Sequence, residues 1–133
     1  MSATQTSNTI VPDSTSANVP DIFDSAEAMN RACDDLELLT ELAELFAENR
    51  DRLLVELTEA VATSNAKEVD EAAHALKGSI GTFSTLRPFQ LARELEFCGK
   101  EQRLEMTPQL LEALKASLVE LEAAVTNFLA SNR

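Results

Sequence analysis

A chain of 133 residues with 44% hydrophobic side chains has room for one domain with a packed core, and with 5% aromatics that core must be aliphatic. Lys and Arg number 11 against 23 Asp and Glu, a formal charge of -12, and such a polyanion repels DNA, RNA and anionic lipid. No apolar run reaches the roughly 18 residues of a membrane span, and the scarcity of Gly, Pro and β-branched runs favours helices.

Residues 1–20 are rich in Ser, Thr and Asn, carry one charged side chain, Asp13, and are expected to form a disordered tail. They hold neither the basic start nor the apolar core of a secretion signal, so a cytoplasmic location is the default expectation. Order is expected from Asp21, where Ile22, Phe23, Ala26 and Met29 support a short helix capped by Asp24 or Ser25. Cys33-Asp34-Asp35 interrupts it. From about Leu36 to Val61, Leu39, Leu42, Phe46, Leu53, Leu57 and Ala60 recur on one side of a long helix. Thr63-Ser64-Asn65 then leads to a third helix, from Glu68 onward.

That third helix carries the only histidine. At 100° per residue, Val69, Ala73, Leu76, Ile80 and Phe83 fall within roughly 40° of one direction. His74 points about 140° away from it, between Asp70 at about 100° and Gly78 at about 180°. Lys77 and Gly81 share this outward face. Ser84 to Pro88 breaks the helix, and a fourth is expected from about Pro88 to Cys98, with Leu91, Leu95 and Cys98 inward and Gly99 as a stop. After a polar connection, Pro108 opens a final helix in which Leu111, Leu114, Leu118, Leu121, Val125 and Phe128 repeat at steps of three and four.

The last pattern suits a coiled coil or the closing helix of an antiparallel bundle. Short connections put an intramolecular partner at hand, which favours a monomeric, all-α four-helix bundle with an additional short N-terminal helix. Phe46, Phe83 and Phe128 are expected in its core. Cys33 and Cys98 lack the spacing of a zinc site and are expected to be reduced, mostly buried thiols.

An outward histidine can act as base, nucleophile or metal ligand. No nucleophile elbow or triad pattern accompanies His74, no set of strong ligands converges on it, and the Lys-Gly-Ser of LKGSIGTF lacks the glycine-rich cradle of a phosphate-binding loop. Phosphoryl transfer onto an imidazole nitrogen presented to a second protein fits what remains. Lys77 is placed to offset phosphoryl charge. Gly78 keeps the neighbouring surface low, at a cost of about 1 kcal/mol relative to alanine in a helix.

The segment HALKGSIGTF, followed by LARELE at Leu91 to Glu96, resembles the signature of the histidine-containing phosphotransfer (HPt) domain family: His-x-Leu-Lys-Gly-Ser, a Gly-Ala step, then a Leu-Glu pair. In this resemblance His74 matches the phospho-accepting histidine, Leu76 the inward leucine, Lys77 the assisting lysine and Gly78 the small residue that admits the partner. Leu95-Glu96 matches the later pair, and Phe46 a phenylalanine of the preceding helix. Ser84-Thr85 stands where Gly-Ala is usual, and Pro88 where an apolar residue is common. The likeness spans Ile22 to Leu129.

The resemblance implies a phosphotransfer domain over residues 21–131 that takes a phosphoryl group on His74 from a receiver-domain aspartate and passes it to another. It implies no autokinase activity and no intrinsic cofactor or metal, with Mg2+ on the partner receiver. The partners would be receiver domains of response regulators or hybrid histidine kinases. Phe89 and Phe97 are candidates for an apolar docking patch near His74. A noncatalytic helical adaptor, or the phospho-accepting fragment of a larger histidine kinase, are the alternatives.

Overall fold

The computed structural model describes residues 21–132, and the expected tail of residues 1–20 lies outside them. Five helices follow in order: α1 (Ser25–Arg31), α2 (Leu36–Ala62), α3 (Ala66–Ile80), α4 (Arg87–Lys100) and α5 (Thr107–Ser131). The first three begin at side-chain acceptors. Asp24 accepts from the Ala26 and Glu27 amides, Asp35 from Leu38 and Asn65 from Glu68, satisfying N–H groups that a helix start leaves unpaired. The last two carry Pro88 and Pro108 in their first turns, where a missing N–H costs nothing. Between α1 and α2, Cys33 and Asp34 take left-handed φ angles of 57° and 59°, which reverses the chain within three residues.

α2 packs on α3, α3 on α4 and α4 on α5, and α5 returns to α2, so four helices close a ring with α1 against α2. The inward stripe of α3 is buried as its periodicity demands: Val69, Ala73, Leu76 and Ile80, joined by Phe83 from the turn beyond the helix end. Leu39, Leu57, Leu95, Leu114, Leu118 and Leu121 meet them from the other helices. Each fully buried leucine contributes roughly 1.5–3 kcal/mol. Phe46 and Phe83 stack edge-to-face at 5.5 Å, and Phe23 and Phe128 at 6.1 Å.

The turn into α4 shows why a serine serves where glycine is usual. Ser84 Oγ donates to the Ile22 carbonyl at 2.5 Å and accepts from the Leu86 N–H at 3.0 Å. The Arg87 N–H donates to the Asp21 carbonyl at 2.7 Å. The buried hydroxyl thus ties the α3–α4 turn to the segment entering α1.

Three expectations need correction. α3 begins at Ala66 rather than Glu68, because Asn65 caps it. Cys33 is exposed and Cys98 half-buried, both free; neither is a core thiol. Burial and the carboxylates of Glu94 and Glu105 raise the Cys98 thiol pKa.

The third correction concerns α4: Leu95 is buried and Leu91 packs half-buried against the core as expected, but the buried face is Pro88, Ala92, Leu95, Glu96 and Gly99, with Cys98 only half-buried beside it. Gly99 is no stop signal. It lies inside the helix, and a Cβ added there would stand 2.5 Å from the Asp70 backbone nitrogen and 2.7 Å from the Ala66 carbonyl oxygen. Those are main-chain atoms of α3 and cannot swing away. Gly99→Ala is therefore expected to lower the unfolding free energy by about 1–3 kcal/mol, although alanine is the better helix former by about 1 kcal/mol. Urea unfolding measures this directly, and an unchanged or raised stability would show that α3 and α4 can part without cost.

Candidate functional site

α3 and α4 run antiparallel, and their close approach at Gly99 brings residue 96 opposite 74 and residue 100 opposite 70. His74 stands near the middle of α3 with 68% of its side chain exposed. Across from it, the Glu96 side chain is only 7% exposed. Its Oε2 lies 2.6 Å from His74 Nδ1, and its Oε1 accepts from Lys77 Nζ at 2.7 Å. Lys100 Nζ lies 3.5 Å from the same Oε2 and 3.1 Å from Asp70 Oδ1.

Burial opposes the charge on Glu96. The hydrogen bonds from Lys77 and His74, with the positive charges of Lys77 and Lys100, overcome that penalty and lower its pKa from 4.5 to about 2. An ionised carboxylate only accepts hydrogen bonds, so the imidazole nitrogen facing it is Nδ1–H, donating. In the neutral ring the lone pair is then on Nε2, on the opposite edge of an exposed side chain. Glu96 thus selects the tautomer and orients the ring.

Of the residues singled out in the sequence, Lys77 is brought to the site but is engaged with Glu96. Gly78 is exposed, and a Cβ there would meet nothing within 4 Å, so packing within the chain does not require glycine. Ser79, the serine that closes the His-x-Leu-Lys-Gly-Ser motif, is half-buried and lines a groove with Leu42 and Phe46. Phe46, Phe83 and Phe128 are buried in the core. Phe89 is half-buried, with a ring carbon 3.3 Å from where a Gly81 Cβ would stand, whereas Phe97 is 55% exposed. Sequence reasoning placed Glu96 in a motif without seeing its contact with His74, and it missed the Asp70–Lys100 pair. Both became legible only through the α3–α4 register.

Among the described residues, no group of three or more His, Cys, Asp or Glu side chains is arranged to hold a metal ion, and no helix is long and apolar enough to cross a membrane.

The site is thus an exposed imidazole on the surface of a small four-helix bundle with an additional short helix. The Hpt domain family model matches residues 41–124, and the chain belongs to this family, whose members are phosphotransfer proteins without autokinase activity that work with receiver domains in phosphorelays. Among solved structures it is similar to the crystal structure of histidine-containing phosphotransfer protein B (HptB) from Pseudomonas aeruginosa PAO1. That match has a TM-score of 0.77 at 17% identity and covers 87% of this chain and 100% of the other, a likeness of fold. Comparison with curated proteins finds no match.

Proposed function

We propose that the chain is a phosphorelay intermediate in which His74 accepts a phosphoryl group from one receiver-domain aspartate and yields it to another. The observation that carries this reading is the 2.6 Å contact between His74 Nδ1 and ionised Glu96, which leaves Nε2 as the exposed nucleophile. The Nε2 lone pair attacks the phosphorus of the receiver's aspartyl phosphate. The N–P bond forms as the P–O bond breaks, and the aspartate carboxylate leaves with the bonding pair. No proton has to move. The ring keeps its Nδ1 proton and becomes a cation, which the Glu96 carboxylate beside it neutralises. Delivery to the second receiver reverses these events.

Lys77 keeps Glu96 ionised and adds positive charge at the rim of the site. Mg2+ belongs to the receiver, whose carboxylates would hold it. We read residues 21–131 as the phosphotransfer domain, working as a cytoplasmic monomer with receiver domains of response regulators or hybrid histidine kinases.

Gly78 provides room for the receiver's loops. Gly78→Ala is expected to raise stability by about 1 kcal/mol, while Gly78→Trp should leave the chain folded and depress transfer at least tenfold. Rates from a fixed phosphorylated receiver, with circular dichroism for the fold, check both. Normal transfer by Gly78→Trp would refute the access role.

The proposal as a whole is tested by mixing the protein with a phosphorylated receiver. An acid-labile, base-stable label attached at Nε2 is expected. Receiver binding without any label would leave a helical adaptor as the better description.

A further inference from the structure

Glycine is a poor helix former, so Gly99, buried inside α4, needs a reason to be there. It stands one turn from each half of the contact between His74 and Glu96. Glu96 precedes it by three residues on α4. The main-chain atoms facing it belong to Ala66 and to Asp70, which precedes His74 by one turn of α3. The glycine at the opposite end of this helix pair, Gly81, faces something softer: a Cβ there would lie 3.3 Å from a Phe89 ring carbon, and a ring can turn.

A methyl group at position 99 would press on the α3 backbone at 2.5, 2.7 and 2.9 Å. Reaching ordinary contact distance, 3.4 Å or more, parts the two helices by roughly 1 Å at this point. The Nδ1–Oε2 distance is 2.6 Å, and roughly 1 Å more carries it beyond the range of a hydrogen bond. The partners of Glu96 would not suffer alike. Lys77 reaches Oε1 on a flexible stem and can follow the receding carboxylate. The imidazole turns about only two bonds, and its place is fixed by the α3 backbone. The histidine contact is therefore the one that breaks, while the buried carboxylate keeps its lysine.

Resting on His74 as the acceptor, we propose that Gly99 is a positioning residue for the accepting group: by letting α3 and α4 meet main chain to main chain, it holds Glu96 within hydrogen-bond reach of Nδ1 and so keeps Nε2 as the bare, attacking nitrogen. It acts only through Glu96. An exposed imidazole released from that carboxylate carries its proton on either nitrogen. The form with the proton on Nε2 has no lone pair there to attack phosphorus.

Nitrogen NMR of the unphosphorylated full-length chain, at a pH where the ring is neutral, reads the tautomer directly, and the single histidine makes the imidazole signals those of His74. The wild type should show Nδ1 as a protonated nitrogen and Nε2 as a bare one. In Gly99→Ala the two shifts should converge. Transfer from a fixed phosphorylated receiver should fall by about tenfold, the low end for loss of an orienting group. In a Glu96→Ala background, where no carboxylate is left to position, Gly99→Ala should slow transfer by less than about twofold. Gly78→Ala, whose Cβ meets nothing within 4 Å, strengthens α3, and in that background the shifts of Gly99→Ala are read on a chain held folded.

Two further variants separate positioning from a general loss of stability. Gly81→Ala meets a side chain that yields, and Val125→Ala enlarges a hollow between α2 and α5, away from the α3–α4 seam. Both should leave the nitrogen shifts of His74 in place. Wild-type shifts in folded Gly99→Ala would overturn the proposal. So would an equal convergence in Gly81→Ala or Val125→Ala, or a rate loss that persists undiminished in the Glu96→Ala background. The shifts are recorded without phosphate or receiver, so they decide the role of Gly99 whichever residue takes the label. Labelling by a phosphorylated receiver reports separately on His74 as the relay acceptor, so failure of that reading is distinguishable from failure of this one.

Discussion

Replacing His74 by glutamine is expected to reduce labelling by a phosphorylated receiver to background while the chain stays folded. The chain has no second histidine to accept the group. The side chain is 68% exposed, so its replacement opens no cavity, and stability should change by no more than about 1 kcal/mol. Glutamine is shorter of a ring but still polar, and receiver affinity should stay within a few fold. Two measurements check this, the label in a gel and receiver binding by calorimetry. Label retained at an appreciable fraction of the wild-type level would place the acceptor elsewhere and remove the basis of the proposed relay.

Glu96→Gln is expected to slow transfer from a fixed phosphorylated receiver by about 10- to 100-fold, the usual effect of removing a group that orients and polarises another. The glutamine carbonyl can still accept from Nδ1–H, so the tautomer survives in part. What is lost is the negative charge beside a ring that turns cationic as the N–P bond forms. Imidazole nitrogen shifts should register the weaker hydrogen bond. Wild-type rates in this variant would reduce Glu96 to a structural residue.

The same carboxylate sets an acid limit on the fold. Its folded pKa, about 2, lies below the ordinary 4.5. A depressed carboxyl contributes stability in full above the unfolded value and loses it as pH falls through the folded one. The wild-type protein should therefore lose at most about 3 kcal/mol as pH drops across this interval, and Glu96→Gln should not show that part of the loss. Urea midpoints measured through the acid range test it, and identical pH dependence in the two proteins would reject the assignment.

Much of the architecture was legible in the sequence because its causes are local. Three- and four-residue spacing places Leu76 inward and His74 outward whatever the helix packs against, since both follow from 3.6 residues per turn. Asp24 announces a helix start through a side chain that reaches only two or three residues along the chain. The acceptor candidate, its neighbour Gly78 and the order of the helices belong to this class of information.

The environment of the histidine does not. Whether Glu96, Glu94 or Arg93 faces His74 depends on how α4 is rotated and slid along α3, and no residue of α4 encodes that alone. Gly99 looks like an ordinary helix terminator in one dimension; in three, its missing methyl lets two backbones approach and locks the register. That register buries a carboxylate in a position that composition assigns to solvent, and it brings Lys100 to Asp70 across 30 residues of sequence. The sequence by itself determined which side chain is presented. Only tertiary packing decided which nitrogen of it is free, because the tautomer is set by a charge delivered from another helix.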